Sequence, residues 1–155
     1  MIKVKGDLLA LAEQGQFDII VQGCNCFNTM GSGLAKQIKA QYPEAYEVDN
    51  STTKGDYRKL GNYTNIHTGK FHIINAYTQF KYNRASQHED RFEYMSFALI
   101  LQKLAYYWPN ARYGFPMIGM GLAGGDPDLI MLDLSLFDNN ITESGGSVTL
   151  VEFAT

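Results

Sequence analysis

The stretch "DIIVQGCNCFNTMGSGLAKQI" (Asp18–Ile38) predicts a buried strand, a loop of small residues and a helix in direct succession. Its first part is a continuous apolar run, which is typical of a strand that a sheet buries on both faces. Leu34 and Ile38 then lie at helical spacing, and Pro43 predicts the end of that helix. Such a loop lets a ligand approach the backbone closely, and the free N–H groups of the following helix favour an anion.

A second loop of the same kind, "IGMGLAGGDPD" (Ile118–Asp128), follows the apolar stretch "RYGFPM". It contains Gly119-x-Gly121-x-x-Gly124, the spacing of the dinucleotide-binding fingerprint. That fingerprint normally opens the first strand–helix unit of its fold, whereas only one helix and one strand follow it here. We therefore interpret the two loops as two walls of a diphosphate cleft, with a nicotinamide-dependent oxidoreductase as the less favoured alternative. The absence of a Walker pattern argues against phosphoryl transfer from ATP.

Around these loops the chain alternates between strand and helix patterns. The predicted order is β-α-β-α-β-β-α-β-α-β, in which helices separate most strands and one hairpin joins two of them. This order predicts an α/β fold, a three-layer α/β/α sandwich around a mixed, mostly parallel central sheet of about six strands. No linker or internal repeat interrupts the pattern, so we expect residues 1–155 to form a single domain.

Capping and turn signals define the expected elements more finely. In the first half of the chain we expect an edge strand at "MIKVKG", a short helix capped by Asp7 and ended by Gly15, a loop over residues 44–59 and a hairpin turn at Thr68–Lys70. A polar loop at "KYNRASQHEDR" then precedes a long helix, which a capping box at Ser86 and Glu89 opens and which closes before Pro109. A helix over residues 127–137 and a closing strand "SVTLVEF" follow.

Composition narrows the class of protein. The chain has 45% apolar and 19% charged residues, a formal net charge of −3 and a pI of about 5.5. These values indicate a globular protein and argue against general nucleic-acid binding, which requires a basic face. No apolar run is long enough to span a membrane, and no secretory signal is evident. Cys24 and Cys26 are too few and too close for a disulfide framework, so we expect a cytoplasmic protein. We also expect a monomer.

Four segments resemble, in chain order, those of a macrodomain, the ADP-ribose-binding module. They are "VKGDLL", "IIVQGCNCFNTMGSGLAKQI", "NAYT" and "GFPMIGMGLAGGD". Together with the closing strand they run through nearly the whole chain, and the two glycine loops are their most specific parts. The chain is most similar to the branch that holds the ADP-ribose-1''-phosphate phosphatases and the terminal ADP-ribose protein glycohydrolases. The resemblance implies that ADP-ribose or a derivative of it is the ligand, without a cofactor.

The resemblance also implies roles for individual residues. Asp7 would accept a hydrogen bond from the adenine amino group beside the backbone of Leu8, and Asn25 would contact the distal ribose. The first diphosphate loop matches Met30, Gly31, Ser32, Gly33 and Leu34, and the second matches Gly119, Met120, Gly121, Leu122 and Ala123. Phe153 lies where some macrodomains place an aromatic ring against the adenine, although a core or edge aromatic is an equal alternative.

The candidate catalytic residues depart from the family pattern. Gln22 stands where the phosphatase branch has a histidine, and glutamine is no general acid or base near neutral pH, although it can orient a water or a phosphate oxygen. Lys81 stands near the place of the glycohydrolase nucleophile, while the place of its acid partner falls on Ala123. Asp126, three residues later, is the remaining acid candidate and could equally cap the last helix. Asn25, beside the distal ribose, completes the set.

We therefore hold two hypotheses for the function. The first is an enzyme acting on the distal ribose, which either removes a 1''-phosphate or cleaves an ADP-ribosyl bond on a modified macromolecule. The alternative is a non-catalytic reader or sequestering protein for ADP-ribose or a related nucleotide signal. No metal site is expected, because His67, His72 and His88 show no ligand spacing. Cys24 and Cys26 are expected to be small buried hydrophobes.

Overall fold

A computed structural model of the chain describes residues 1–82, 91–121 and 123–153. The strands are β1 (Ile2–Gly6), β2 (Ile19–Asn25), β3 (Tyr63–His67), β4 (His72–Gln79), β5 (Arg112–Phe115) and β6 (Ser147–Phe153). The α-helices are α1 (Leu8–Glu13), α2 (Gly33–Gln41), α3 (Pro43–Asn50), α4 (Tyr94–Tyr107) and α5 (Pro127–Glu143), and a short 3-10 helix covers Tyr57–Lys59.

Within the described residues, the six strands form one sheet in the order β1-β6-β5-β2-β4-β3. All neighbours pair in parallel except β3 and β4, which form the antiparallel hairpin predicted around Thr68–Lys70. The mixed, mostly parallel sheet is therefore confirmed, with β1 at an edge as its alternating pattern predicts. Because β1, β6, β5, β2 and β4 run the same way, the loops after them leave the sheet at one edge.

Helices cover both faces of the sheet. Along β2, Ile19 and Val21 pack with α4 and α5, whereas Ile20 packs with α1, α2 and α3. The same alternation occurs on β4, where Ile74 and Ile73 face opposite cores. Side chains of a strand alternate between the two faces of a sheet, so the hydrophobic runs supply two separate cores. The predicted three-layer sandwich is confirmed.

Three expected element boundaries differ from the structure. The segment expected to be a loop contains α3, because Pro43 ends α2 and also stands in the first turn of α3, where its missing N–H costs nothing. The predicted final helix is longer than expected, because Ile141 extends the buried stripe of α5 to Glu143. The capping box at Ser86 and Glu89 lies outside the described residues, and α4 begins only at Tyr94. Among the described residues, no helix combines the length and apolar character needed to cross a membrane.

Candidate functional site

The two glycine loops leave neighbouring strands of the sheet. β2 and β5 pair in parallel, with Ile19 opposite Tyr113 and Ile20 opposite Gly114. The loop after β2 and the loop after β5 therefore start at the same edge, which is where ligands of α/β sheets bind.

Two adjoining cavities lie at this edge. The larger has a volume of about 590 Å³ and is lined by Gln22, Asn25, Thr29, Thr78, Tyr82 and Gly119 among others. The smaller, of about 300 Å³, is lined by Asp7, Leu8, Gly33, Gln37 and Phe153 among others. Leu34 and Pro116 line both, so the cavities form parts of one cleft. Their volumes fall in or near the range of small-molecule sites.

In the smaller cavity, Asp7 serves as the N-cap of α1, as predicted. Its Oδ1 accepts hydrogen bonds from the backbone N–H groups of Leu9 and Ala10, at 3.0 and 3.1 Å. Among the described residues Oδ2 accepts none, so the carboxylate can cap the helix and still receive a donor from a ligand. Phe153, at the end of β6, lines the same cavity and is 60% exposed. An exposed ring beside a free acceptor suits a flat heterocycle that carries an amino group.

The first glycine loop ends in a helix N-terminus with free donors. Ser32 is the N-cap of α2, and its side chain makes no capping hydrogen bond. The N–H groups of the first turn therefore remain to bind an anion, and Gly31, Ser32 and Leu34 line the larger cavity beside them. Met30 does not reach the cleft surface in the same way: it is buried, with its Sδ 3.9 Å from the Nε2 of Gln22.

Asn25 braces the same loop. Its Nδ2 donates to the carbonyl and to the Oγ1 of Thr29, at 3.1 and 2.8 Å, and its Oδ1 accepts from the N–H of Phe27 at 2.8 Å. Asn25 also lines the larger cavity. An amide oxygen has two lone pairs, so Asn25 retains the capacity to accept one hydrogen bond from a ligand while holding the loop.

A buried polar network, which no local pattern in the sequence indicates, supports this loop from behind. The Nζ of Lys59 donates to the carbonyl of Cys26 at 3.1 Å and to the Oδ1 of Asn28 at 2.6 Å, and lies 4.9 Å from the ring centroid of Tyr77. The Tyr77 hydroxyl donates to Asp49 at 2.8 Å. Burial lowers the pKa of Lys59 and raises the pKa of Asp49. Asn28 adopts a positive φ of 58°, which these bonds hold in place.

The second glycine loop is fixed against Phe92. Gly119 has a φ of +73°, and a Cβ there would lie 2.4 Å from the Phe92 ring. The backbone N–H of Phe92 donates to the carbonyl of Ala123 at 2.9 Å. Gly119 and Ala123 line the larger cavity, whereas Met120 packs against the core and Gly121 is exposed. Leu122 lies outside the described residues.

The catalytic candidates divide into two groups. Gln22 and Asn25 line the larger cavity, whereas neither Lys81 nor Asp126 is among the described residues that line it. Asp126 caps α5, accepting a hydrogen bond from the N–H of Asp128 at 2.9 Å, as its alternative interpretation predicts. Lys81 directly precedes Tyr82, which does line the cavity.

The two cysteine thiols are buried and protonated, and the described residues contain no metal-binding group. Cys24 and Cys26 are buried in a small apolar cluster, as expected. Burial raises the pKa of the Cys24 thiol and raises that of Cys26 to about 11, so both stay protonated near neutral pH. Among the described residues, no three His, Cys, Asp or Glu side chains form a group that could hold a metal ion.

Several lining residues carry no sequence signal of their own. Thr78 and Gln79 stand at the carboxyl end of β4, and Pro116 follows β5. Their positions follow from the strand order, in which β2 lies between β4 and β5. That order depends on long-range pairing, which the local patterns of the chain do not encode.

Comparison with known proteins identifies relatives of the whole chain. No model of a known protein family matches it. The chain is 36% identical over 136 residues to an uncharacterized 17.5 kDa protein in the tk-vs intergenic region of Enterobacteria phage T4, and the match covers 82% of this chain and 83% of the phage protein. The chain belongs to the family of that phage protein.

Solved structures identify the fold. A crystal structure of a protein from Bacteroides thetaiotaomicron superposes with a TM-score of 0.79 at 23% identity, covering 98% of this chain and 99% of that one. The macrodomain of Mycobacterium tuberculosis DarG superposes with a TM-score of 0.71 at 23% identity, covering 100% and 98%. The fold is that of a macrodomain. Thermosipho africanus DarTG in complex with ADP-ribose also shares this macrodomain fold, with a TM-score of 0.63 at 14% identity over 88% of this chain and 38% of that one.

Proposed function

We propose that this macrodomain binds ADP-ribose along the cleft, with adenine in the smaller cavity and the distal ribose in the larger one. The observation that carries the proposal is that Leu34 and Pro116 line both cavities. The two chambers therefore form one continuous cleft, and a ligand with two end groups joined by a linker fits it. Asp7 and Phe153 supply an acceptor and an aromatic surface at one end.

The diphosphate lies between the two glycine loops in this proposal. Gly31 and Ser32 on one side and Gly119 on the other line the larger cavity, and the N-terminus of α2 directs free N–H groups into that region. Backbone donors and a helix dipole bind a diphosphate without basic side chains. This agrees with a protein of net charge −3 that recognises an anion.

Binding, rather than turnover, is the better supported function. Among the described residues that line the larger cavity, none has a charged side chain, and the Cys24 thiol there has a raised pKa. Gln22, in the place of the phosphatase histidine, exchanges no proton near neutral pH. A reader or sequestering protein for ADP-ribose, free or attached to a macromolecule, requires none of these groups.

A second candidate is cleavage of an ADP-ribosyl bond by Lys81. It is favoured by one observation, that Lys81 directly precedes Tyr82 at the wall of the larger cavity. The deprotonated Nζ would attack the anomeric carbon of the distal ribose, and the bond to the modified group would break with its electron pair on that group. The leaving group would take up the proton that the new N–C adduct releases. Water would then hydrolyse the adduct, releasing ADP-ribose and restoring the amine.

Calorimetry and product analysis distinguish these functions. We expect saturable binding of ADP-ribose to the pure protein, and no release of phosphate from ADP-ribose-1''-phosphate. Free ADP-ribose released from ADP-ribosylated protein or DNA, and lost in Lys81→Met but not in Lys103→Met, would establish the hydrolase. Lys103 is a suitable control because it bonds to Gly61 and Asn62, and none of these three residues lines either cavity. Absence of ADP-ribose binding would reject the proposal as a whole.

A further inference from the structure

Gln22 carries an acceptor without a partner. Its side chain is 2% exposed and lines the larger cavity. The Nε2 donates to the Oδ1 of Asn75 at 2.8 Å, and Asn75 stands directly opposite on β4. The Oε1 makes no hydrogen bond with any described residue. Buried polar atoms of native proteins are almost always paired, so this oxygen requires an explanation.

The orientation of the Gln22 amide is fixed by a chain of bonds. Asn75 is fully buried, and its Nδ2 donates to the carbonyl of Ala45 at 2.9 Å and to the Oγ1 of Thr64 at 3.1 Å. A carbonyl only accepts, so Asn75 must present its amide nitrogen to Ala45 and its oxygen to Gln22. Gln22 must in turn present its nitrogen to Asn75. The Oε1, and not the NH₂ group, is therefore the atom left over.

The surroundings of this oxygen suit a neutral group. The described residues lining the larger cavity include no lysine, arginine or histidine. A phosphate oxygen placed against the Gln22 Oε1 would bring two acceptors together, because the Nε2 of the same amide is held by Asn75. A sugar hydroxyl would instead donate to the Oε1 and satisfy it.

We propose that the Gln22 Oε1 accepts a hydrogen bond from a hydroxyl of the ligand's distal sugar, and so selects a free sugar over one that carries a phosphomonoester at this position. This inference rests on the proposed ADP-ribose site. It makes Gln22 a specificity-determining residue in place of an acid or base. The larger cavity would then accept ribosides whose hydroxyl groups are unmodified.

The affinities of the wild-type protein for two ligands test this proposal. With the wild-type protein, we expect ADP-ribose to bind about tenfold more tightly than ADP-ribose-1''-phosphate, which is the ratio that one hydrogen bond supplies. The comparison uses no variant and therefore does not depend on folding. Equal or tighter binding of the 1''-phosphate would overturn the proposal.

The Gln22→Met variant supplies the matched test. This substitution keeps the length of the side chain and removes the acceptor. ADP is the control ligand, because it lacks the distal ribose. We expect the affinity for ADP-ribose to fall about tenfold while that for ADP changes less than about twofold. Equal losses for both ligands, or no loss for ADP-ribose, would contradict the role of Gln22. If the wild-type protein binds neither ligand, the failure is that of the proposed function itself.

Discussion

Asp7 and Phe153 line the same cavity, although nearly the whole chain separates them in sequence. Gly6, the last residue of β1, pairs with Phe153, the last residue of β6, and Asp7 follows directly as the cap of α1. The parallel pairing of an edge strand with the closing strand thus brings an acceptor and an aromatic ring to one end of the cleft. The two roles of Asp7, in stability and in binding, are separable by substitution.

For Asp7→Ala, we expect the free energy of unfolding to fall by about 1 kcal/mol, because the two N–H groups that Oδ1 satisfies lose their acceptor. We expect the affinity for ADP-ribose to fall at least about tenfold, the loss of a hydrogen bond to a charged group. Denaturant unfolding and calorimetry measure the two effects.

The control for this prediction is Asp7→Ser, since serine caps a helix about as well as aspartate but is too short to reach a ligand. Stability should stay near that of the wild type while ADP-ribose binding weakens as in Asp7→Ala. Wild-type affinity in Asp7→Ser would show that the carboxylate does not contact the ligand.

Substitution of two cleft glycines by alanine should have different effects, one on stability and the other on ligand binding. Gly119→Ala places a Cβ 2.4 Å from Phe92 at a left-handed φ, so we expect a loss of at least about 2 kcal/mol in unfolding free energy. Gly31→Ala meets no atom within 4 Å and should fold normally, yet it narrows the cleft where the diphosphate is proposed to lie. We expect weaker ADP-ribose binding at unchanged stability. Unimpaired binding by Gly31→Ala would argue against that placement.

Lys59→Met should destabilise the loop that carries Asn25. The substitution removes a charged donor from the carbonyl of Cys26, which keeps the N–H of Gly55, and from the Oδ1 of Asn28, which keeps the hydroxyl of Thr52. We expect a cost of about 2 kcal/mol near neutral pH, the value of a buried hydrogen bond to a charged group. Lys36→Met, at an exposed site on α2, is the control and should change stability little. A loss below about 1 kcal/mol for Lys59→Met would show that the network does not hold the loop.

The same network gives a pH dependence of defined sign. Burial raises the pKa of Asp49 above its ordinary value of 3.8, so the folded state binds this proton more tightly than the unfolded state. Its favourable contribution is present below the unfolded pKa and is lost as the pH rises through the folded pKa. The charge of Lys59 lowers the pKa of Asp49, so that pKa should rise further in Lys59→Met. The free energy of unfolding of Lys59→Met should therefore fall more steeply than that of the wild type between about pH 4 and pH 7. The double variant Lys59→Met, Asp49→Asn should not show this fall. An unchanged pH profile in Lys59→Met would contradict the coupling.

The fluorescence of Trp108, the single tryptophan of the chain, should report the titration of His72, because the centroids of the two rings lie 5.4 Å apart. Burial and the neighbouring His67 lower the pKa of His72 below 6.5. Its stabilising contribution is therefore present above about pH 6.5 and declines as the pH falls, because the unfolded state takes up the proton first. We expect fluorescence quenching by the imidazolium, with a midpoint below 6.5.

Two variants check the assignment of this titration. His72→Gln should abolish it, and His67→Gln should move the midpoint upward, since the charge of His67 opposes protonation of His72. A midpoint at or above that of a free histidine in the wild-type protein would contradict the burial of the ring.

Much of the fold was predictable because its signals are local. The apolar runs of β2 and β4, the cap at Asp7 and the hairpin turn at Thr68–Lys70 each act over a few residues. The helix α3 was missed because its buried positions are Ala45 and Asp49, so no hydrophobic stripe indicates it. Its acid is buried only because Tyr77, from a distant strand, donates to it.

The site was predictable in outline and not in its details. The glycine loops identified the cleft, because close approach of a backbone needs small residues there. The orphaned oxygen of Gln22 depends on Asn75 and Ala45, which pairing of β2 with β4 and packing of α3 bring together. Nothing in the local sequence around Gln22 indicates which end of its amide remains available.

The decisive experiment is a crystal structure of the protein with ADP-ribose. We expect adenine between Asp7 and Phe153, the diphosphate against Gly31–Gly33 and Gly119, and a distal-ribose hydroxyl within about 3 Å of the Gln22 Oε1. A ligand bound in the reverse direction, or outside the cleft that Leu34 and Pro116 join, would contradict this expectation.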